Sequence, residues 1–404
     1  MSNRICITGV GVVSSIGTGK EDFLSALKHG KSGIEEIKTF DTSFSRSKKA
    51  GMAQSFNPRD FITPSKIRRL DRASQFAIAA SKMALADAGF SVTKEAASRT
   101  GIVLGSGFCG LSSSEEFHKG QVLKGFLDLN PMLFPNTVPN AAASNASIEL
   151  GIQGVNCTLV QSFCTAEAAI IFACDQLRKG KADLILTGGV DELSEYLFRG
   201  FSDLHLLATD RGDGEITRPY DRRRNGLVLG EGAGIFAIET EEHACSRGAR
   251  IYGYILGYSL VGRSLQGSRA EDLRRSIRKA STDRENLMID YISGAGNSSQ
   301  KLDPLEAMGV KATFPGQYKE IPVSSIKSMV GESIASGGLR MAASVLSLEN
   351  HFIPPTINYL FPDPNCDLPY VVNQGIERKI QTLLHLGIAP ESCFSSILIG
   401  TQWS

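Results

Sequence analysis

Thr158-Leu-Val-Gln-Ser-Phe-Cys164-Thr-Ala-Glu-Ala-Ala-Ile-Ile-Phe-Ala-Cys174-Asp-Gln-Leu-Arg-Lys179 decides the fold. It opens as a short apolar, β-branched run and passes without a long loop into an alanine-rich segment. There Ala169, Phe172, Ala173 and Leu177 fall on one stripe at helical spacing. Arg178, Lys179 and Gly180 close the helix, and a second apolar strand, Ala182 to Thr187, runs into Gly188-Gly189. Strand, helix, strand is a βαβ unit, and Cys164 sits at the join of its first strand and its helix. A thiol there faces unpaired N–H groups and the positive end of the helix dipole, which is expected to favour the thiolate. Cys174, inside the helix, reads as inert packing.

The bulk of the chain bounds what that unit belongs to. At 404 residues there is room for two domains or one large duplicated one. Hydrophobic residues at 42% and charged residues at 21% describe a globular protein. Lys plus Arg (43) nearly cancel Asp plus Glu (42), so charge gives no reason to expect nucleic acid or a membrane surface as partner. No apolar run reaches the roughly 18 to 20 residues of a membrane span. Met1-Ser-Asn-Arg-Ile-Cys-Ile-Thr reads straight into a strand, so no signal peptide is expected. Eight cysteines without CxxC pairs are then expected as reduced thiols of a cytoplasmic protein, not as a disulfide or zinc framework.

Outward from the central unit, the first half reads as strand Ile5 to Ser14, a short helix from Lys20 to Lys28 and a surface loop over 31–67. A long helix from Asp71 to Ala88 follows, with alanines on its packing face, then strand Ile102 to Leu104 and helix Ala141 to Leu150. Gly9 and Gly11 invite comparison with a dinucleotide loop, but Ser14 stands where the third glycine belongs. Residues 195–228 read as loop, and their run Arg222-Arg-Arg224 as solvated or ion-paired surface before a phosphate site. The second half repeats the style. Strands near Ile251 to Tyr258, Met288 to Ile292 and Ile321 to Ser324 alternate with helices from Glu271, from near Pro304 and through Leu348. Such alternation implies α/β layers around mostly parallel sheets.

Nine phrases in order resemble one family, the β-ketoacyl-acyl-carrier-protein synthases, the ketosynthase branch of the thiolase superfamily. They are Ile7-Thr-Gly-Val-Gly-Val-Val-Ser, Asp71-Arg-Ala-Ser-Gln-Phe-Ala, Ala86-Asp-Ala-Gly89, Cys164-Thr-Ala and Gly188-Gly-Val-Asp. Arg218-Pro-Tyr-Asp, Gly226-Leu-Val-Leu-Gly-Glu-Gly-Ala-Gly234, Val323-Ser-Ser-Ile-Lys-Ser-Met-Val-Gly331 and Ile353-Pro-Pro-Thr-Ile-Asn358 complete the set. The resemblance implies a thiolase-like α/β fold of five layers, α/β/α/β/α, in two pseudo-equivalent halves. Residues 1–245 would carry Cys164, and residues 246–404 would carry Ala295, Lys327 and Glu332. It implies no cofactor of the chain's own, since phosphopantetheine arrives on an acyl carrier protein. The implied partners are that carrier and a second subunit, in a homodimer or in a heterodimer with a histidine-bearing ketosynthase.

In the family a cysteine accepts an acyl chain as thioester, and two histidines assist decarboxylation of a malonyl unit that attacks it. Cys164 matches the nucleophile and Lys327 is kept. Where the first histidine belongs, in Tyr-Ile-Asn-Ala-His-Gly-Thr-Ser-Thr, this chain reads Tyr291-Ile-Ser-Gly-Ala295-Gly-Asn-Ser-Ser. Where the second belongs, it reads Lys327-Ser-Met-Val-Gly-Glu332. The C-terminal gate loop is replaced by Gly387-Ile-Ala-Pro-Glu-Ser-Cys-Phe-Ser-Ser396. Losing one oxyanion donor costs about 2.7 to 4 kcal/mol, so losing both predicts a fall of roughly four powers of ten if the effects are independent.

Two functions follow. One is a chain-length-factor-like partner of an active synthase in fatty-acid or polyketide biosynthesis, which Cys393-Phe-Ser-Ser-Ile-Leu-Ile resembles in its C-terminal phrase. The other is an acyltransferase that forms an acyl thioester on Cys164, with Glu332 as base. Glu332 ionised would raise the Cys164 thiol pKa unless Lys327 offsets it. Phe108, Phe134 and Phe163 are candidates for the wall of an acyl pocket, with ordinary core packing as the alternative for each. His385 reads as a core or surface histidine rather than a member of the site.

Overall fold

Ten strands and six of the helices organise the computed structural model, which describes residues 4–281 and 288–403. In the first half the strands are β1 (Ile5–Ser14), β2 (Thr100–Gly105), β3 (Asn156–Leu159), β4 (Leu184–Asp191) and β5 (Gly232–Thr240). In the second they are β6 (Gly253–Gly262), β7 (Tyr291–Ser293), β8 (Val323–Ser324), β9 (Thr382–Ala389) and β10 (Cys393–Gly400). The spatial order is β3-β2-β4-β5-β1 in one half and β8-β7-β9-β10-β6 in the other. Add five to each strand of the first order and the second results. The directions repeat as well: β3, β2 and β4 are parallel, β5 runs antiparallel to both neighbours, and β8, β7, β9 and β10 do the same. A short antiparallel contact, Cys6 opposite Tyr254, joins the halves through β1 and β6.

Helices separate and cover these sheets. They are α1 (Arg72–Asp87), α2 (Ala141–Leu150), α3 (Thr165–Arg178), α4 (Arg269–Ala280), α5 (Leu302–Thr313) and α6 (Gly337–Asn350). Packed together, α1 and α2 cover the first sheet, while α4 and α5 cover the second. Between the sheets lie α3 and α6, each touching strands of both, which makes five layers, α/β/α/β/α. A helix in the middle layer has no solvent face, and α6 is buried continuously from Gly337 to Leu348. The same logic makes the inner strands unbroken apolar runs, with all ten residues of β1 buried.

Gly9 and Gly11 belong to this packing. A Cβ on either would overlap the carbonyl oxygen of Ala84 or Ala80, so both glycines exist to let α1 lie close on β1. Asp71 caps α1, its carboxylate accepting from Ser74 N at 3.1 Å.

Three stretches read as loops are corrected. Within 31–67 a hairpin pairs Ile34–Glu36 with Lys49–Gly51, and a short helix runs from Pro64 to Ile67. Residues 195–228 begin with helix Glu195–Asp203, which Ser194 caps. The stretch 387–396 is a tight hairpin, the end of β9 and the start of β10 joined through Pro390-Glu391-Ser392. The arginine run is ion-paired where it meets protein: Arg223 with Asp213 and Asp221, Arg224 with Asp363. Among the described residues, no helix is long and apolar enough to cross a membrane, and no group of His, Cys, Asp and Glu is placed to hold a metal. All eight cysteines are free thiols.

Candidate active site

The turn before α3 brings Cys164 into the middle of the molecule. Ser162 adopts a left-handed backbone (φ 48°), and Thr165 Oγ1 accepts from Gln161 N at 2.6 Å, so the chain reverses sharply from β3 into the helix. Cys164 takes the residue just before α3 and is fully buried. Its thiol donates to the carbonyl oxygen of Cys393, the first residue of β10, at 3.5 Å. Burial pushes the Cys164 thiol well up, and the neighbouring Cys393 and Glu167 push the same way. Burial thus opposes the thiolate that the helix N-terminus was expected to favour. Of the two adjoining thiols it is Cys393 that is lowered, to about 7, chiefly through Cys164 beside it. Cys174 is inert as expected, its thiol pushed up to about 12 by burial.

The charge that bears on the sulfur also differs from the expected one. Glu167 follows Cys164 by three residues and is fully buried. Its Oε1 accepts from Arg340 Nη2 at 2.7 Å and lies 3.0 Å from His385 Nε2, while its Oε2 has no partner. His385 and Arg340 hold the Glu167 carboxyl below its usual range against the opposing effect of burial. Gly337 and Gly387 leave the space this carboxylate fills. His385 is thus a buried histidine bonded to Glu167 and, at 3.4 Å, to Ser344 Oγ, not to the sulfur. Burial, and next the Arg340 charge, lower it to about 4, so it is neutral at pH 7.

The two positions where imidazoles were sought are both filled. Ala295 is fully buried, and its methyl joins the apolar cluster of Ile292, Leu305, Val323 and Leu386. The turn around it is fixed through its backbone: Ala295 N donates to Glu306 Oε1 at 2.7 Å, Gly296 N to Tyr220 Oη at 3.1 Å and Asn297 N to Asp303 Oδ1 at 3.0 Å. That is where Arg218-Pro-Tyr-Asp does its work, since Tyr220 also donates to Glu306 at 2.8 Å. Glu332 is buried and holds three donors, Lys327 Nζ (2.6 Å) and Asn297 Nδ2 (2.7 Å) on one oxygen and Ser336 Oγ (2.6 Å) on the other. Burial pulls the Lys327 ammonium down, and Glu332 opposes it. On the far side Asp191 accepts from Gly107 N, Phe108 N and Ala335 N at 2.7 to 3.1 Å, tying the loop after β2 to the segment before α6.

A cavity of about 600 Å³ opens beside the turn, lined by Phe163, Phe201, Leu206, Leu227, Leu305 and Met308 with Asn297 and the Pro390-Glu391 turn at its edges. Phe163 is part of its wall. Phe108 is not: it packs with Phe40, Phe44, Leu111 and Phe198 in a neighbouring cluster that shares Phe201 and Leu227 with the cavity. Nor is Phe134, which is 64% exposed and rests against Phe117. Glu167, Arg340 and Asn297 were missed by sequence reading. Charges at positions 167 and 340 inside alanine- and glycine-rich helices were the available signal, since a buried charge demands a partner.

Two family models match most of the chain. Residues 2–244 match the β-ketoacyl synthase N-terminal domain and residues 257–360 match its C-terminal domain. This chain belongs to the β-ketoacyl synthase family. It is 34% identical over 392 residues to the 3-oxoacyl-[acyl-carrier-protein] synthase 2 of Coxiella burnetii, covering 94% of both chains. The ishigamide ketosynthase/chain length factor structure superposes with a TM-score of 0.91 at 29% identity, covering 99% of each chain. A chain from the structure of a type II polyketide acyl carrier protein in complex with its ketosynthase gives 0.89 at 26% identity, again covering 99% of each. The five-layer fold is therefore the thiolase-like fold of ketosynthases, and the chain is a ketosynthase-type protein of the fatty-acid and polyketide synthase family.

Proposed function

We propose that this β-ketoacyl synthase homologue binds acyl chains brought by an acyl carrier protein, is impaired in decarboxylative condensation, and serves as a chain-length-factor-like partner of a histidine-bearing synthase. The observation that carries this reading is what stands at the matched positions: the Cys164 sulfur bonds to a backbone carbonyl, and the two imidazole positions hold a core methyl and a carboxylate already engaged by three donors. Condensation develops negative charge on the malonyl thioester oxygen. Ala295 offers that oxygen no side-chain donor, and the Glu332 oxygens act as acceptors, so each loss removes about 2.7 to 4 kcal/mol of stabilisation.

The apolar cavity against Phe163 supports acyl binding. Pairing with a second subunit is supported by exposed apolar side chains, among them Val122, Leu123, Phe126, Leu127 and Ile148. In addition, β3 ends the first sheet with one edge unpaired by any described strand and Val160 exposed just beyond it. A second reading, an acyltransferase working through a thioester on Cys164, is favoured by the thiol itself, retained at the helix N-terminus beside the cavity.

The test is to incubate the pure protein with acyl-carrier-protein thioesters, analyse Cys164 by mass spectrometry, and in parallel recover its partner by affinity purification. Co-purification of a histidine-bearing synthase with no adduct supports the partner. A Cys164 adduct that passes to a second thiol, amine or hydroxyl without loss of carbon dioxide supports the transferase.

A further inference from the structure

Two cysteines from distant parts of the chain meet where one was expected. Cys164 closes the turn before α3, and Cys393 opens β10 in the other half of the molecule. The Cys164 thiol donates to the Cys393 carbonyl oxygen at 3.5 Å. The Gln161 carbonyl holds the pair from a third side, accepting from Cys164 N at 3.2 Å and from the Cys393 thiol at 3.9 Å. Together with Ala389 and Phe163 they form a small cluster of their own. Neither acyl reading calls for a second thiol at this place.

We propose that Cys164 and Cys393 are a redox pair, which hydrogen peroxide closes into a disulfide and a thiol reductant reopens. No segment has to fold over for this. The sulfurs of two side chains already packed in one cluster close to the ~2.05 Å of an S–S bond. Cys393 is the thiol that ionises more readily at neutral pH. Its thiolate attacks one peroxide oxygen, the O–O bond breaks, hydroxide leaves, and Cys393 becomes a sulfenic acid. Cys164 then attacks that sulfur, the S–O bond breaks and water departs with the Cys164 proton. In sum two thiols and one peroxide give one disulfide and two waters. Each sulfur is oxidised by one electron, and the peroxide takes both.

The bond itself needs only the two thiols, and its consequence, withdrawal of Cys164 from acylation, rests on the proposed function. The experiment treats the full-length folded protein with hydrogen peroxide, removes it with catalase, alkylates all remaining thiols in denaturant and maps the unreduced digest by mass spectrometry. The expected product is a cross-linked peptide pair containing Cys164 and Cys393, lost after reduction, and absent from Cys393→Ser and Cys393→Ala. Recovery of both cysteines alkylated under conditions that oxidise the exposed Cys245 would overturn the proposal. So would sulfinic acid on Cys164 without a cross-link, or the same cross-link yield from protein oxidised in denaturant. Acyl adduct on Cys164 is then measured before and after peroxide. Loss of adduct in the parent, restored by reductant, with a peroxide-insensitive adduct in Cys393→Ser, supports the consequence. A cross-link in a protein that never forms the adduct sinks the acylation reading and leaves the redox pair standing.

Discussion

Glu167 and Arg340 form a salt bridge of 2.7 Å in the middle layer, and neither side chain reaches solvent. One stands a helical turn beyond Cys164 and the other on the facing helix, so the pair couples the two halves of the molecule next to the candidate nucleophile. Removing one partner strands a buried charge, which typically costs 3 to 5 kcal/mol. Arg340→Met is therefore expected to lower unfolding stability by about that much in urea titrations. Glu167→Gln combined with Arg340→Met is expected to lose less than Arg340→Met alone.

His385 makes the stability of the same layer depend on pH. Burial lowers its pKa from 6.5 to about 4 in the native protein, so between those values the unfolded chain binds a proton that the native chain does not. The associated stability is fully present above pH 6.5 and is lost as pH falls toward 4, an effect of about 3 kcal/mol. His385→Gln should retain that much more of its pH 7 stability at pH 4 than the parent retains of its own. Equal losses in urea titrations of the two proteins would contradict the assignment.

Leu206 lies on the wall of the cavity beside Phe163 and is 44% exposed, so a larger side chain is accommodated there without disturbing the core. Leu206→Trp is expected to weaken binding of long acyl chains about tenfold relative to short ones, as judged by competition between acyl-carrier-protein thioesters. A uniform loss for all chain lengths would place the acyl group elsewhere.

Most of the fold was legible because its elements are buried on every side. β1, β2, β4, α1 and α3 read as continuous apolar or small-residue runs, and the structure forms them within a few residues of their expected ends. The hairpin at Ile34–Glu36 and Lys49–Gly51 stayed hidden because its strands have three residues each, too short for an alternation. β9 was hidden differently: the resemblance supplied a loop at 387–396, while Thr382-Leu-Leu-His-Leu-Gly-Ile-Ala389 is a buried strand on its own residues. For the candidate site, sequence marked Cys164, Ala295, Lys327 and Glu332, because motifs mark positions. It could not show that Glu332 is shared between Lys327, Asn297 and Ser336, or that Cys393 lies against Cys164. Those contacts join residues far apart in the chain, and no local pattern records them.

The most direct measurement concerns carbon–carbon bond formation. Purified protein, free of any co-purifying synthase, is incubated with an acyl-carrier-protein thioester and its malonyl counterpart, and carbon dioxide and β-ketoacyl product are followed by mass spectrometry. The account predicts product at or below roughly one ten-thousandth of the rate of a histidine-bearing synthase run beside it. Formation of β-ketoacyl product by this chain alone at a rate comparable to that synthase would contradict it.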